Sequence, residues 1–209
     1  MRKLLLAALG LLACSVSSYA TITINLTGGY ITFSDAMKRA PIGSLVQLIA
    51  STNDDIFTAP SPTSFTGGSA DDRILASFGV NLEPGAFDRA IVFSLDPPEG
   101  PGLGAGDRLM LRWFPQLTTS ASAPGGGTQY GEFRSDVTNE NGSTITWVVP
   151  ADGRTEDLYF LTQSAEGTRP NSDGVANFVV VPEPSTYALL AVGLGAVMFA
   201  RRRSKGVAA

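Results

Sequence analysis

Between residues 21 and 181 the apolar residues either alternate with polar ones or come in short runs, and no stretch sustains the 3.6-residue period of an amphipathic helix. The first segment sets the pattern. Ile22, Ile24 and Leu26 share one face of an extended chain, with Thr21, Thr23 and Asn25 on the other. Gly28-Gly29 interrupts it, and Tyr30-Ile31-Thr32-Phe33 is expected to resume as a second strand. Further strands are expected at 45–50, 73–78, 89–95, 108–114, 129–135, 144–149, 158–163 and 177–181, all rich in Val, Ile, Phe, Tyr and Trp. Turn clusters separate them, among them Pro97-Pro98-Glu99-Gly100, Pro124-Gly125-Gly126-Gly127, Asn139-Glu140-Asn141-Gly142, Ala151-Asp152-Gly153 and Asn171-Ser172-Asp173-Gly174. About eight to ten short strands joined by such turns make an all-β chain, and the expected architecture is an antiparallel β-sandwich. The one helical signal is a single turn at 34–39, with Ser34 or Asp35 as its cap.

The strand around Trp113 is the most distinctive. Leu109, Leu111 and Trp113 fall on one face, and Met110, Arg112 and Phe114 on the other. The plain reading is a central strand whose Trp anchors the core. A sharper one has Arg112, Phe114 and Tyr130 lining a surface on which a sugar stacks, which requires exposed rings.

The two ends do not follow the alternation. Met1-Arg2-Lys3 precedes an apolar run from Leu4 to Ala13, and small residues occupy Ser18 and Ala20. This is the order of a secretory signal peptide, residues 1–20, with cleavage after Ala20. Ten helical residues rise about 15 Å, half a bilayer core, so the run is too short for a stable span. Leu11-Leu12-Ala13-Cys14 loosely resembles a lipoprotein box, a rival reading in which Cys14 is lipidated. At the other end, 187–200 carries no charge and is followed by Arg201, Arg202, Arg203 and Lys205. As a helix it is about 21 Å long, short for a permanent anchor, and the basic cluster places the last residues in the cytoplasm and the preceding domain outside. Pro182 and Pro184 keep Glu183 extended and accessible just before it.

Pro182-Glu183-Pro184-Ser185, the short apolar helix 187–200 and the basic tail 201–205 together resemble the PEP-CTERM sorting signal of Gram-negative bacteria. The resemblance covers 182–209, and its order and spacing are specific where the tripeptide alone is not. It implies recognition by an exosortase, a membrane-embedded cysteine transpeptidase-like enzyme, and a host that makes exopolysaccharide and biofilm matrix. It implies nothing about the domain at 21–181, whose own family is not identified.

With the ends set aside, the composition narrows the chemistry. Nine Lys and Arg and eighteen Asp and Glu remain in 21–181, a net charge near −9, against −4 for the whole chain. Nucleic acid is an unsuitable partner for so acidic a surface. There is no His, the single Cys is Cys14, and Lys38 is the only lysine of the domain. Triads built on His, disulfides and the commonest metal ligand are therefore absent. The Gly-rich stretch 100–106 leads into a strand and not into a helix N-terminus, so it does not read as a phosphate loop. Asp54-Asp55, Asp71-Asp72 and 171–173 lack the alternating ligand pattern of a calcium loop. No cofactor or metal is expected. The expected protein is a non-catalytic surface or matrix protein, anchored transiently in the inner membrane and then delivered to the envelope or matrix. An exopolysaccharide-binding module and a carboxylate-only hydrolase are the alternatives.

Overall fold

The computed structural model describes residues 21–96, 102–134, 147–161 and 175–181, with Leu194 the one described residue beyond them. Among these residues eight strands form: β1 Thr21–Gly29, β2 Ser44–Ser51, β3 Asp72–Gly79, β4 Phe87–Ser94, β5 Arg108–Thr118, β6 Gln129–Arg134, β7 Thr155–Leu161 and β8 Phe178–Val179. They make a three-stranded sheet, β4-β1-β7, and a five-stranded sheet, β3-β2-β5-β6-β8. All pairings are antiparallel except β1 with β7. The expected sandwich of antiparallel strands is thus corrected to a mixed one. The first strand enters the middle of its sheet, between β4 and a parallel partner from the far end of the chain.

The inner faces of the two sheets share one core. Ile22, Ile24 and Leu26 of β1, Phe87 and Ile91 of β4 and Leu158 of β7 meet Val46, Leu48, Leu109, Leu111, Trp113 and Phe133 of the larger sheet. Removing each such side chain from water is worth about 1.5–3 kcal/mol, which makes the apolar alternation the main determinant of strand register. Trp113 is fully buried and donates from Nε1 to the Thr32 carbonyl at 3.2 Å. Two glycines in this layer are fixed by cross-strand aromatics. Gly28 lies opposite Phe87, and Gly131 opposite Trp113, and a Cβ on either would enter the facing ring.

The outer face of the five-stranded sheet is also covered. Leu45, Phe114, Tyr130 and Val180 form a second apolar cluster with Phe65, and Ile49 and Met110 form a third with Phe57. Phe57 and Phe65 come from the long connection between β2 and β3. This is why β2 is buried at every position instead of alternating.

Several elements depart from expectation. Tyr30–Phe33 does not form a strand. Tyr30 turns the chain with φ 63°, and Thr32 makes isolated bridges to Arg39 and Val175. The turn that follows is not helical. Asp35 Oδ1 accepts from Met37 N at 3.0 Å and its carbonyl from Lys38 N at 2.9 Å, an Asx-type turn. Strand β5 runs on past Pro115 because the register with β2 shifts between Ser44 and Leu45, so the proline's missing donor falls in a bulge. Of 144–149, only 147–149 is described. It lies beside Arg108 through bonds from Leu109 N to Trp147 O and from Val149 N to Asp107 O. The expected signal peptide (1–20), most of the apolar helix 187–200 and the basic tail lie outside the described residues. Among the described residues no helix is long and apolar enough to cross a membrane.

Candidate functional site

The last strand is where the fold meets the tail. β8 pairs with β6 through Gln129↔Val179 and Tyr130↔Phe178, and the Tyr130 and Phe178 rings stack at 5.3 Å. Val180 extends this edge. Its N–H donates to Thr128 O at 2.9 Å and its carbonyl accepts from Gly127 N at 2.8 Å. Its side chain is 1% exposed in the cluster with Leu45, Phe65, Phe114 and Tyr130. The next residue, Val181, is 67% exposed. The expected recognition residues Pro182, Glu183, Pro184 and Ser185, the orienting Arg201, Arg202 and Arg203, and Ala20 of the cleavage site lie outside the described residues.

The residues expected to stack a sugar are together, but enclosed. Arg112 is 0% exposed. Its Nε and Nη2 donate to Glu132 Oε1 at 2.9 and 2.5 Å, Nη2 also to Thr58 O at 2.8 Å, and Nη1 to Phe65 O at 2.5 Å. A buried guanidinium is tolerated only with such a set of partners. Phe114 lies against Phe65 and Tyr130, with ring centroids 5.2 and 5.9 Å away. Neither Phe114 nor Tyr130 offers the open ring face that sugar stacking requires, because Phe65 packs on Phe114, and Phe114 and Phe178 pack on Tyr130. Arg112 is a clamp for that connection. The reason was invisible locally. The covering segment is Ser-, Thr-, Gly- and Pro-rich, and its only signal is the isolated pair of aromatics Phe57 and Phe65.

The acidic pairs serve the same connection. Ser51 Oγ donates to Asp54 Oδ1 at 3.3 Å and to Asp71 Oδ2 at 3.4 Å, and Asp54 Oδ1 also accepts from Ile56 N at 2.8 Å. The Ser69 hydroxyl beside Asp71 holds its carboxyl below the ordinary value of 3.8. Asp72 shifts the other way. Burial raises its carboxyl, while Thr58 N donates to its Oδ2 at 2.7 Å and Oδ1 has no partner among the described residues. An open cleft of about 390 Å³ lies alongside, lined by Thr52, Thr66, Asp71, Asp72, Arg73 and Asp96. Arg73 pairs with Asp96, whose Oδ2 also accepts from Leu103 N at 2.8 Å. Among the described residues no three His, Cys, Asp or Glu are grouped to hold a metal ion. The pair Asn171 and Asp173 lies outside the described residues.

The tail has a known counterpart. The sequence model of the PEP-CTERM protein-sorting motif matches residues 180–204. The chain therefore carries that motif, and its first residue is the buried Val180. The motif implies processing by an exosortase, and with it export and passage across the membrane to the cell surface. No curated protein and no solved structure matches the chain.

Proposed function

We propose that this chain is a non-catalytic protein of the cell surface or extracellular matrix of a Gram-negative bacterium, held in the inner membrane by its tail until an exosortase removes it. The observation that carries the reading is the PEP-CTERM motif at 180–204, continuous with the last strand of a two-sheet β domain. Pro182, Glu183 and Pro184 are the recognition element, 187–200 the retention helix, and Arg201, Arg202 and Arg203 the orientation lock. The test is expression of the full chain in an exosortase-bearing host. Changing Pro182, Glu183 and Pro184 to Ala should leave the tail attached, as read by mass spectrometry of the C-terminus. Tail removal at the normal rate refutes the reading.

A second reading, binding of the host's own exopolysaccharide, is favoured by one surface. The outer face of the three-stranded sheet carries Tyr159, 56% exposed, in register with Thr27 and Asp88. Beside it Asn25 Nδ2 donates to Asp157 Oδ1 at 2.8 Å, and Thr27 Oγ1 to Asp88 Oδ1 at 3.4 Å. An open ring beside a ladder of amide, hydroxyl and carboxylate groups suits a neutral sugar chain. Binding to the host polysaccharide that survives Tyr159→Ala unchanged refutes this assignment.

A further inference from the structure

The sorting motif begins inside the folded core, and this has a geometric consequence for the enzyme that reads it. Val180 is the first residue of the motif match and is held on three sides: its amide to Thr128, its carbonyl to Gly127, and its side chain among Leu45, Phe65, Phe114 and Tyr130. Only Val181 separates it from Pro182. Two residues of fully extended chain span at most about 7 Å, so Pro182 cannot move further than that from the domain surface while Val180 stays in place. An enzyme that grips Pro182-Glu183-Pro184 must then touch the domain itself.

What it meets there is already apolar and open. Phe178, Val179 and Val181 are 45%, 50% and 67% exposed, three surface positions on either side of the buried Val180. The geometry points to this β8 edge, Phe178, Val179 and Val181, as a docking surface for the exosortase, so that the enzyme recognises the folded end of the domain together with the linear motif. The occupant follows from continuity, because the surface and the motif are the same stretch of chain. Docking with β8 in place also leaves the cluster under Val180 closed. Peeling β8 away would open Phe65, Phe114 and Tyr130 to water. This inference rests on the exosortase reading of the tail.

The experiment follows tail removal from the full-length protein in an exosortase-bearing host, by pulse-chase and mass spectrometry. Val179 lies outside the motif match and is half exposed, so it can be changed without altering the motif or the core. Val179→Lys should slow tail removal about fivefold to tenfold, the loss of one interface side chain of ordinary weight. Val179→Thr keeps the β-branched shape and should slow it less, with resistance to proteolysis unchanged in both. A flexible Gly/Ser spacer of about eight residues between Val181 and Pro182 frees the motif from the domain, and the dependence on residue 179 should then disappear. Equal rates for wild type and Val179→Lys overturn the proposal. So does a Val179→Lys protein that is lost from the membrane fraction of an exosortase-deleted host yet processed normally, since the edge would then be resting on lipid.

A disulfide between the register partners, Gln129→Cys with Val179→Cys, separates docking from peeling. If that cross-link stops tail removal while Gln129→Ser with Val179→Cys does not, β8 must peel and the docking surface is refuted. Continued removal with the cross-link in place supports it. The Pro182-Glu183-Pro184 to Ala control keeps the two readings apart. If that control is still processed, the sorting reading fails. If it is not processed and residue 179 is without effect, only the docking surface fails.

Discussion

Removing the Arg112 guanidinium tests the claim that the connection between β2 and β3 is held down by a buried charge. The structure places this side chain at 0% exposure, with Glu132 8% exposed beside it and the carbonyls of Thr58 and Phe65 as further acceptors. Arg112→Met keeps the apolar stem and removes the charge. Glu132 then loses its Arg112 partner, and breaking a buried pair of this kind costs about 3–5 kcal/mol. For a chain of this size each kcal/mol moves the melting temperature by about 2–4 °C, so the expected fall is about 6–20 °C. Arg112→Lys should recover little, because a single ammonium cannot reach Glu132, Thr58 and Phe65 in three directions at once. Adding Glu132→Leu to Arg112→Met should restore much of the loss, since the double replacement removes both charges. The assay is urea and thermal unfolding of the purified protein, with limited proteolysis reporting on residues 52–70. A loss below about 1 kcal/mol in Arg112→Met, with those residues still protected, would refute the clamp.

Three further outcomes follow from single side chains. Gly131→Ala places a methyl group in the Trp113 ring and should destabilise by about 1–3 kcal/mol in a denaturant melt, whereas a neutral effect means that the ring is not seated there. Val180→Ala empties a fully buried position and should cost about 1.5–3 kcal/mol, with faster proteolysis around 178–181, and unchanged stability would refute the anchoring of the tail. Burial raises the folded Asp72 carboxyl above its ordinary value of 3.8, so the native state holds that proton to higher pH than the unfolded chain does. Its contribution is therefore fullest below 3.8 and declines as pH rises through the raised folded value. The stability of wild type relative to Asp72→Asn should fall over that window, and a rise would refute the assigned direction.

The sequence made some of this plain and concealed the rest for physical reasons. The tail was legible because a sorting motif is linear: prolines, apolar run and arginines are all within one short stretch. The two faces of β5 were legible because period-two alternation fixes which residues share a side, and Leu109, Leu111 and Trp113 indeed meet the core while Met110, Arg112 and Phe114 face away. What alternation cannot give is what lies over the second face. Phe57 and Phe65 close it from a segment without any periodic signal, so Met110 and Phe114 lie in packed interior. The parallel pairing of β1 with β7 was equally hidden. It joins Asn25 to Asp157 across 132 positions, and no local pattern records a partner so distant. Tyr30 was read as strand from its β-forming side chain, but its left-handed backbone turns the chain instead.

That parallel pairing also sets a timetable. A chain delivered from its N-terminus presents β1 first, and β4 can join one edge of it soon after. The other edge stays open until residues 155–161 have been delivered, by which point most of the domain is already present. Contacts of such long sequence separation form slowly, because closing the large loop precedes any gain from the pairing. The central position of β1 therefore delays completion of its sheet until residues 155–161 are available to pair with it.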